Sequence, residues 1–276
     1  MKKSLVTTGL IFLILTLLSL FIASCSDVKA FLLLREGDRH DDKGRYEEAL
    51  ICFSEVISLK PGIPEGYNGR GIVYDELGRH EEAVDDFTKA LLLDPEYHPA
   101  YLNRGNANRR LGRYAEAIED YSNAIRLKPG EYKAYLNRGK LYYHLRRYDE
   151  AINDLSAVTV IEPGALDSYL MRGFAFYKQN KYFEAISDFT EVIERDPKRK
   201  DVYVYRGNLF IILLDLTHAL EDFNAALAID PNFAEAYTGL GETYILLGRK
   251  YDALVNFQKG CNLGDERGCR GFDFHN

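Results

Sequence analysis

Residues 98–131 read HPAYLNRGNANRRLGRYAEAIEDYSNAIRLKPGE. Tyr101, Gly105, Asn108 and Leu111 fall at helical spacing, and Gly112 follows where a helix would end in a left-handed turn. A second run holds Tyr114, Ala117, Ile118, Tyr121, Ala124 and Ile125, the i, i+3, i+4, i+7 stripe of an amphipathic helix. Glu116 and Glu119 lie near its start and Arg126 and Lys128 near its end, which suits the helix dipole. Pro129 stops it. The stretch therefore predicts two antiparallel helices, each about 20 Å long at about 1.5 Å per residue.

The chain repeats this unit. Prolines stand at 61, 95, 129, 163, 197 and 231, each thirty-four residues from the last. Position 8 of the unit is Gly37, Gly71, Gly105, Gly139, Gly173, Gly207 and Gly241. Position 20 is Ala49, Ala83, Ala117, Ala151, Ala185, Ala219 and Ala253. Small residues at these places let two helices approach closely, and large ones such as Tyr67, Tyr74 and Phe87 fill the seam.

The period and these residues resemble the tetratricopeptide repeat family, whose helix–turn–helix units stack into a right-handed superhelix. The resemblance implies an all-α, right-handed superhelical solenoid of antiparallel helix pairs. Seven units cover 30–63, 64–97, 98–131, 132–165, 166–199, 200–233 and 234–267, and a tail occupies 268–276. The sequence departs from the family in two places. The family's Trp at position 4 is Tyr in units two to seven, and Asp265 replaces the closing Pro of the seventh.

Residues 1–24 differ in character. Lys2 and Lys3 precede an apolar stretch from Leu5 to Ala23, the n-region and h-region of a secretory signal. Ile22-Ala23-Ser24-Cys25 resembles a bacterial lipobox with Ile in place of the usual Leu. That resemblance implies cleavage before Cys25 and lipid attachment to it, with 25–29 a short linker. An uncleaved N-terminal membrane anchor is the alternative. Either places the protein in the bacterial cell envelope, held to a membrane. The first repeat helix is read from about Val28, so the array stands close to that membrane. The whole chain carries 35 basic and 42 acidic residues, and without the two leader lysines 33 basic residues face 42 acidic ones, a charge of −9. This opposes nucleic acid and anionic headgroups as partners.

Four cysteines fit an exported protein. Cys52 reads as a small buried apolar residue. The segment GCNLGDERGC around Cys261 and Cys269 resembles cysteine-rich relatives of the repeat family. In those relatives a bridge of this spacing staples one helix to the next, and the resemblance implies a disulfide here. A zinc site lacks ligands, since only His275 is near.

Comparing the seven copies with one another gives a further expectation. Position 7 is Arg in units two to six (Arg70, Arg104, Arg138, Arg172, Arg206), and position 23 is Asp in the same five (Asp86, Asp120, Asp154, Asp188, Asp222). Both are lost together at the ends, as Glu36 with Cys52 and Leu240 with Asn256. An ion pair inside each unit fits this register, while pairing to the next unit would strand Arg70 and Asp222.

Members of the family bind partners mainly in the groove lined by the first helix of each unit. The resemblance puts positions 2, 5, 6, 9, 12 and 13 there. The N-terminal end of this surface is acidic, with Asp38, Asp41, Asp42, Asp75 and Glu76. The middle holds Asn103, Asn106, Arg109, Arg110, Asn137, Lys140, Tyr143, His144, Tyr177 and Lys178. The C-terminal end holds Ile211, Ile212, Ile245 and Leu246. Amides can hold a peptide backbone, cations a carboxylate, and tyrosines offer flat contacts. The expected partner is a protein or peptide segment, extended or C-terminal, with self-association through the apolar end as a further possibility. A carboxylate clamp known in the family is matched only by Asn103 and Lys133. Its other places hold Asn68, Ile72 and Asn137.

Catalysis is not expected, and no cofactor or metal is called for. The six histidines (His40, His80, His98, His144, His218, His275) occupy different unit positions and form no pair at metal spacing. No nucleophile elbow or phosphate loop appears in a strand–turn–helix setting. A component that handles a small apolar ligand, or self-assembles, is the alternative to a tethered adaptor.

Overall fold

The computed structural model describes residues 26–275, so the leader and Cys25 lie outside the described residues. The fold class is all-α, with fifteen helices and no strand among the described residues. The chain divides into two compact units between Arg138 and Gly139. The first holds α1 (26–41), α2 (Tyr46–Leu59), α3 (Pro64–Glu76), α4 (His80–Leu93), α5 (His98–Arg110) and α6 (Tyr114–Leu127). The division falls inside α7 (Tyr132–His144). The second holds α8 (Tyr148–Ile161), α9 (Leu166–Lys178), α10 (Tyr182–Arg195), α11 (Lys200–Ile212), α12 (Leu216–Ile229), α13 (Ala234–Leu246), α14 (Lys250–Asn262) and α15 (Glu266–His275). In each unit a helix packs on the next, so the thirty-four-residue copies are helix pairs. Among the described residues, no helix is long and apolar enough to cross a membrane.

Each pair turns at position 15, where the backbone is left-handed. Gly44, Gly78, Gly112 and Gly248 supply it with φ between 66° and 76°. The Arg113 amide then reaches back to the Asn108 carbonyl at 2.8 Å, closing the end of α5. Units four to six force the same turn on Arg146, Asn180 and Leu214, at φ 60°, 58° and 59°. Asn tolerates this region, while a γ-branched Leu pays for its Cβ there. Leu214 is 70% exposed, so its side chain loses little packing on removal. Leu214→Gly is therefore expected to stabilise the protein by about 0.5–1 kcal/mol, the left-handed penalty less the extra unfolded-state entropy of glycine. The midpoint of urea unfolding checks it.

The seam of each pair is built from a ring and a glycine. Position 20 alanines are fully buried in all seven units. Position 24 is Phe53, Phe87, Tyr121, Leu155, Phe189, Phe223 and Phe257, all buried. The position 8 glycine lies under that side chain. A Cβ added at Gly105 would sit 2.7 Å from the Tyr121 ring, and one at Gly173 2.7 Å from Phe189. Cys52 is buried and unbridged, and burial pushes its thiol pKa up.

The C-terminal end differs from the sequence reading. The stretch read as a tail is mostly helix α15, which packs on α13 and α14. Cys261 and Cys269 are joined by a disulfide with their Cα atoms 4.5 Å apart. Gly271 lies against the Phe257 ring, and His275 stacks on it at 6.0 Å. The helix that caps Phe257 leaves Phe274 83% exposed.

Candidate functional site

Arg70, Arg104, Arg172 and Arg206 each grip the aspartate sixteen residues on. Arg70 Nε and Nη2 donate to Asp86 at 2.7 and 2.8 Å, and Arg206 donates to Asp222 at 2.9 and 2.7 Å. These are pairs within a repeat, fork to fork. Burial pushes the Asp120, Asp188 and Asp222 carboxyl pKa values up, and the guanidinium beside each pulls them back. The third nitrogen reaches the preceding repeat. Arg104 Nη1 donates to Thr88, Arg138 Nη1 to Ser122, Arg172 Nη1 to Ser156 and Arg206 Nη1 to Thr190, at 2.7–3.1 Å. Arg70 and Ser54 approach to 3.4 Å. The arginine thus ties two repeats as well as two helices. The hydroxyl escaped the sequence reading, yet its register was there to read. Position 25 is Ser or Thr in repeats one to five and Asn224 in repeat six, where the following Arg is replaced by Leu240. These residues are structural.

In the first unit the predicted groove amides bond one another. Asn103 donates to Asn68 at 3.0 Å, and Asn137 donates to Asn106 at 2.8 Å. The Tyr121 hydroxyl also donates to Asn106, at 2.9 Å. Burial lifts that phenol to about 12, with Arg109 opposing. Arg110 binds the Asp75 carboxylate, whose other oxygen lies 2.6 Å from His80 Nδ1. Arg109 is exposed at the end of α5. Asp38 and Asp41 remain a crowded acidic pair. Burial, then repulsion from Asp42, raises the Asp38 carboxyl, and burial, then repulsion from Glu76, Asp42 and Asp38, raises that of Asp41. Among the described residues no group of three His, Cys, Asp or Glu could hold a metal ion.

In the second unit the predicted tyrosines come together. A recess of about 310 Å³ is lined by Tyr143, Phe174, Tyr177, Lys178, Tyr205, Asn208, Leu209 and Ile212, with Phe189 beneath. Three of its five rings pack on one another. Phe174 lies edge-on to Phe189 at 5.3 Å and to Tyr205 at 4.9 Å, an arrangement that fixes all three. Burial raises the phenol pKa values of Tyr143 and Tyr205. A second hollow, of about 580 Å³, shares Tyr143 and Lys178 with it and is lined also by Lys140, His144, Arg146, Tyr148 and Met171. Lys140 donates to Asp167 at 2.9 Å, and the Lys178 ammonium stands 5.3 Å from the Tyr177 ring centre. The site is an aromatic recess beside a basic rim.

Of the apolar end, Ile212 lines the recess while Ile211 packs against the core around Phe223 and Tyr237. Ile245 is half-buried and Leu246 stays exposed. Phe174, Tyr205 and Asn208 were missed by the sequence reading. They stand at positions 9, 6 and 9, which the family pattern marks as groove positions, so the signal was present.

Tetratricopeptide repeat family models match residues 32–63, 64–97, 102–164 and 167–199, and a TPR repeat model matches 215–248. No curated protein matches the sequence. Among solved structures the fold is similar to the C-terminal part of a TPR repeat-containing protein from Cytophaga hutchinsonii. The two are 20% identical over 86% of this chain and 98% of that one, with a TM-score of 0.73. It is also similar to YrrB, a TPR protein with an unusual peptide-binding site, at 21% identity over 69% and 99% of the two chains and a TM-score of 0.61. A third likeness is MamA, at 26% identity over 59% and 95%, with a TM-score of 0.55. The repeat period, the helix pairs it builds and five matching family models lead to one conclusion: the chain belongs to the tetratricopeptide repeat family, whose fold is a scaffold for binding protein or peptide partners.

Proposed function

We propose that this protein is a membrane-tethered adaptor that binds a peptide segment through the recess between Tyr143 and Ile212. The observation that carries this reading is an aromatic wall beside a basic rim on the first helices of successive repeats. A recess of that size takes one large apolar side chain. The adjoining Lys178, His144 and Arg146 suit an acidic flank or a chain-terminal carboxylate. That YrrB is described as having a peptide-binding site supports the same use of the fold. The first unit offers less, because Asn103, Asn106 and Asn137 already bond within it. The tether is the lipid on Cys25, with an uncleaved leader as the alternative. The adaptor performs no catalysis.

A second reading has one observation behind it. The volume, about 310 Å³, lies at the lower bound of small-molecule pockets. Photocrosslinking in cells separates the two. A photoreactive residue replacing Tyr143 is expected to give discrete protein adducts, and one replacing exposed Phe183 on α10 none. Lys178→Glu should weaken the adducts several-fold. A membrane-bound, intact protein that gives no adduct from position 143 overturns the peptide reading. Co-purification of an apolar small molecule would then favour the second. Release of the protein from membranes by Cys25→Ala checks the tether.

A further inference from the structure

The N-terminal face of the array carries apolar side chains where the rest of the chain carries buried ones. Position 3 of the repeat is Gly66, Ala100, Ala134, Ser168, Val202 and Ala236 in repeats two to seven, all buried. In repeat one the same position is Leu32, 57% exposed. Val28 and Phe31 on the same helix are 57% and 59% exposed. The spacing 28, 31, 32 forms one stripe along α1. The ends of repeat arrays ordinarily present a polar outer face. This end presents three exposed apolar side chains beside Arg35, Glu36 and Arg39, the kind of surface that marks an interaction site.

We infer that the occupant is the lipid surface, and that α1 lies against it through Val28, Phe31 and Leu32. The inference rests on the tethered reading of the leader. Its further support is distance. The apolar stretch ends at Ala23, and Cys25 adjoins the first described helical residue. Leu32 lies six residues on, about 9 Å along the helix. Whatever holds the chain at residues 5–25 therefore holds this stripe within reach of the interface. A second copy would have to enter the same plane to cover it. The charges around the stripe tell which lipids matter. Lys29 is paired with Glu55 at 2.5 Å, Asp27 with Lys60, and Arg39 with Glu36 at 3.2 Å. The Arg35 guanidinium lies over the Phe31 ring. Among the described residues the cations around the stripe are paired or laid on a ring, so contact is mainly apolar and needs no anionic lipid.

The sequence contains no tryptophan, so Phe31→Trp places a single fluorescent reporter on an exposed position. The full-length protein, purified from membranes with its native N-terminus, is reconstituted into phosphatidylcholine vesicles with or without brominated acyl chains. Phe183→Trp, on an exposed part of α10, is the control. The expected result is a blue-shifted emission from position 31 that loses most of its intensity with brominated lipid. The control keeps a water-like emission. If the protein floats with the vesicles but the position 31 emission is water-like and unquenched, the inference is overturned and the tether stands. If the protein does not float, the tether fails and the inference with it. A blue shift that appears in detergent and grows with protein concentration assigns the face to a second copy and also overturns it.

Discussion

Asp188→Ala is expected to destabilise the protein by about 3–5 kcal/mol, the usual cost of leaving one member of a buried ion pair without the other. Arg172 gives Asp188 two bonds at 2.9 and 2.7 Å, and its third nitrogen reaches Ser156 and Thr159. The guanidinium is 18% exposed and the carboxylate 6%, so water cannot replace either partner well. Arg172→Met with Asp188→Ala together should lose much less than the two singles added. The two pKa directions describe one balance. The bond to Asp188 raises the Arg172 pKa, which marks the interaction as favourable. Burial raises the Asp188 pKa in spite of that bond, because the deeper group loses more solvation. A carboxyl whose folded pKa lies above its unfolded one contributes fully below the unfolded value and loses that contribution as pH rises through the folded one. Acid is therefore not expected to destabilise the fold through Asp188. A double-mutant cycle by urea unfolding checks the coupling, and additive losses would remove the idea.

The fold was legible because one period repeats, and repetition turns weak local signals into a strong common one. Gly105 alone is an ordinary helical glycine, but seven at the same position require a close neighbour, which the structure supplies as the position 24 side chain. The Arg and Asp register was legible for the same reason. The hydroxyl partners at position 25 lay in the same register, but they serve the following repeat. Their role shows only when the series is offset by one repeat. The candidate site was less legible. Asn103, Asn106 and Asn137 were read as free to meet a partner, yet whether neighbouring amides meet each other depends on the spacing between repeats, which no single helix records. Phe174 and Tyr205 sat at groove positions but look like core residues in a one-dimensional pattern. Their edge-on packing leaves a recess open to one side. The apolar N-terminal stripe is visible in sequence only as a Leu where later repeats have something smaller.

Phe223→Ala is expected to cost about 3–5 kcal/mol, the loss of a fully buried ring together with the cavity it leaves. Phe223 packs with Val204, Tyr237 and Leu240, and it is pressed by glycines from two repeats. A Cβ added at Gly207 in its own repeat would lie 3.0 Å from the ring. One added at Gly239, in the next repeat, would lie 2.3 Å away. Gly239→Ala alone should therefore destabilise by about 1–3 kcal/mol, because the ring has to move within a close-packed core. The two changes oppose each other in space. Removing the ring opens the volume that the new methyl needs, and the methyl fills part of the cavity. Phe223→Ala combined with Gly239→Ala is thus expected to lose clearly less than the sum of the singles, with a coupling on the order of 1–2 kcal/mol. Additivity in urea unfolding would show that the ring relaxes elsewhere and that Gly239 is not there for close approach. If the coupling holds, the ring of one repeat is the surface on which the next repeat seats. A ring truncation is then felt at the boundary between repeats as well as inside one.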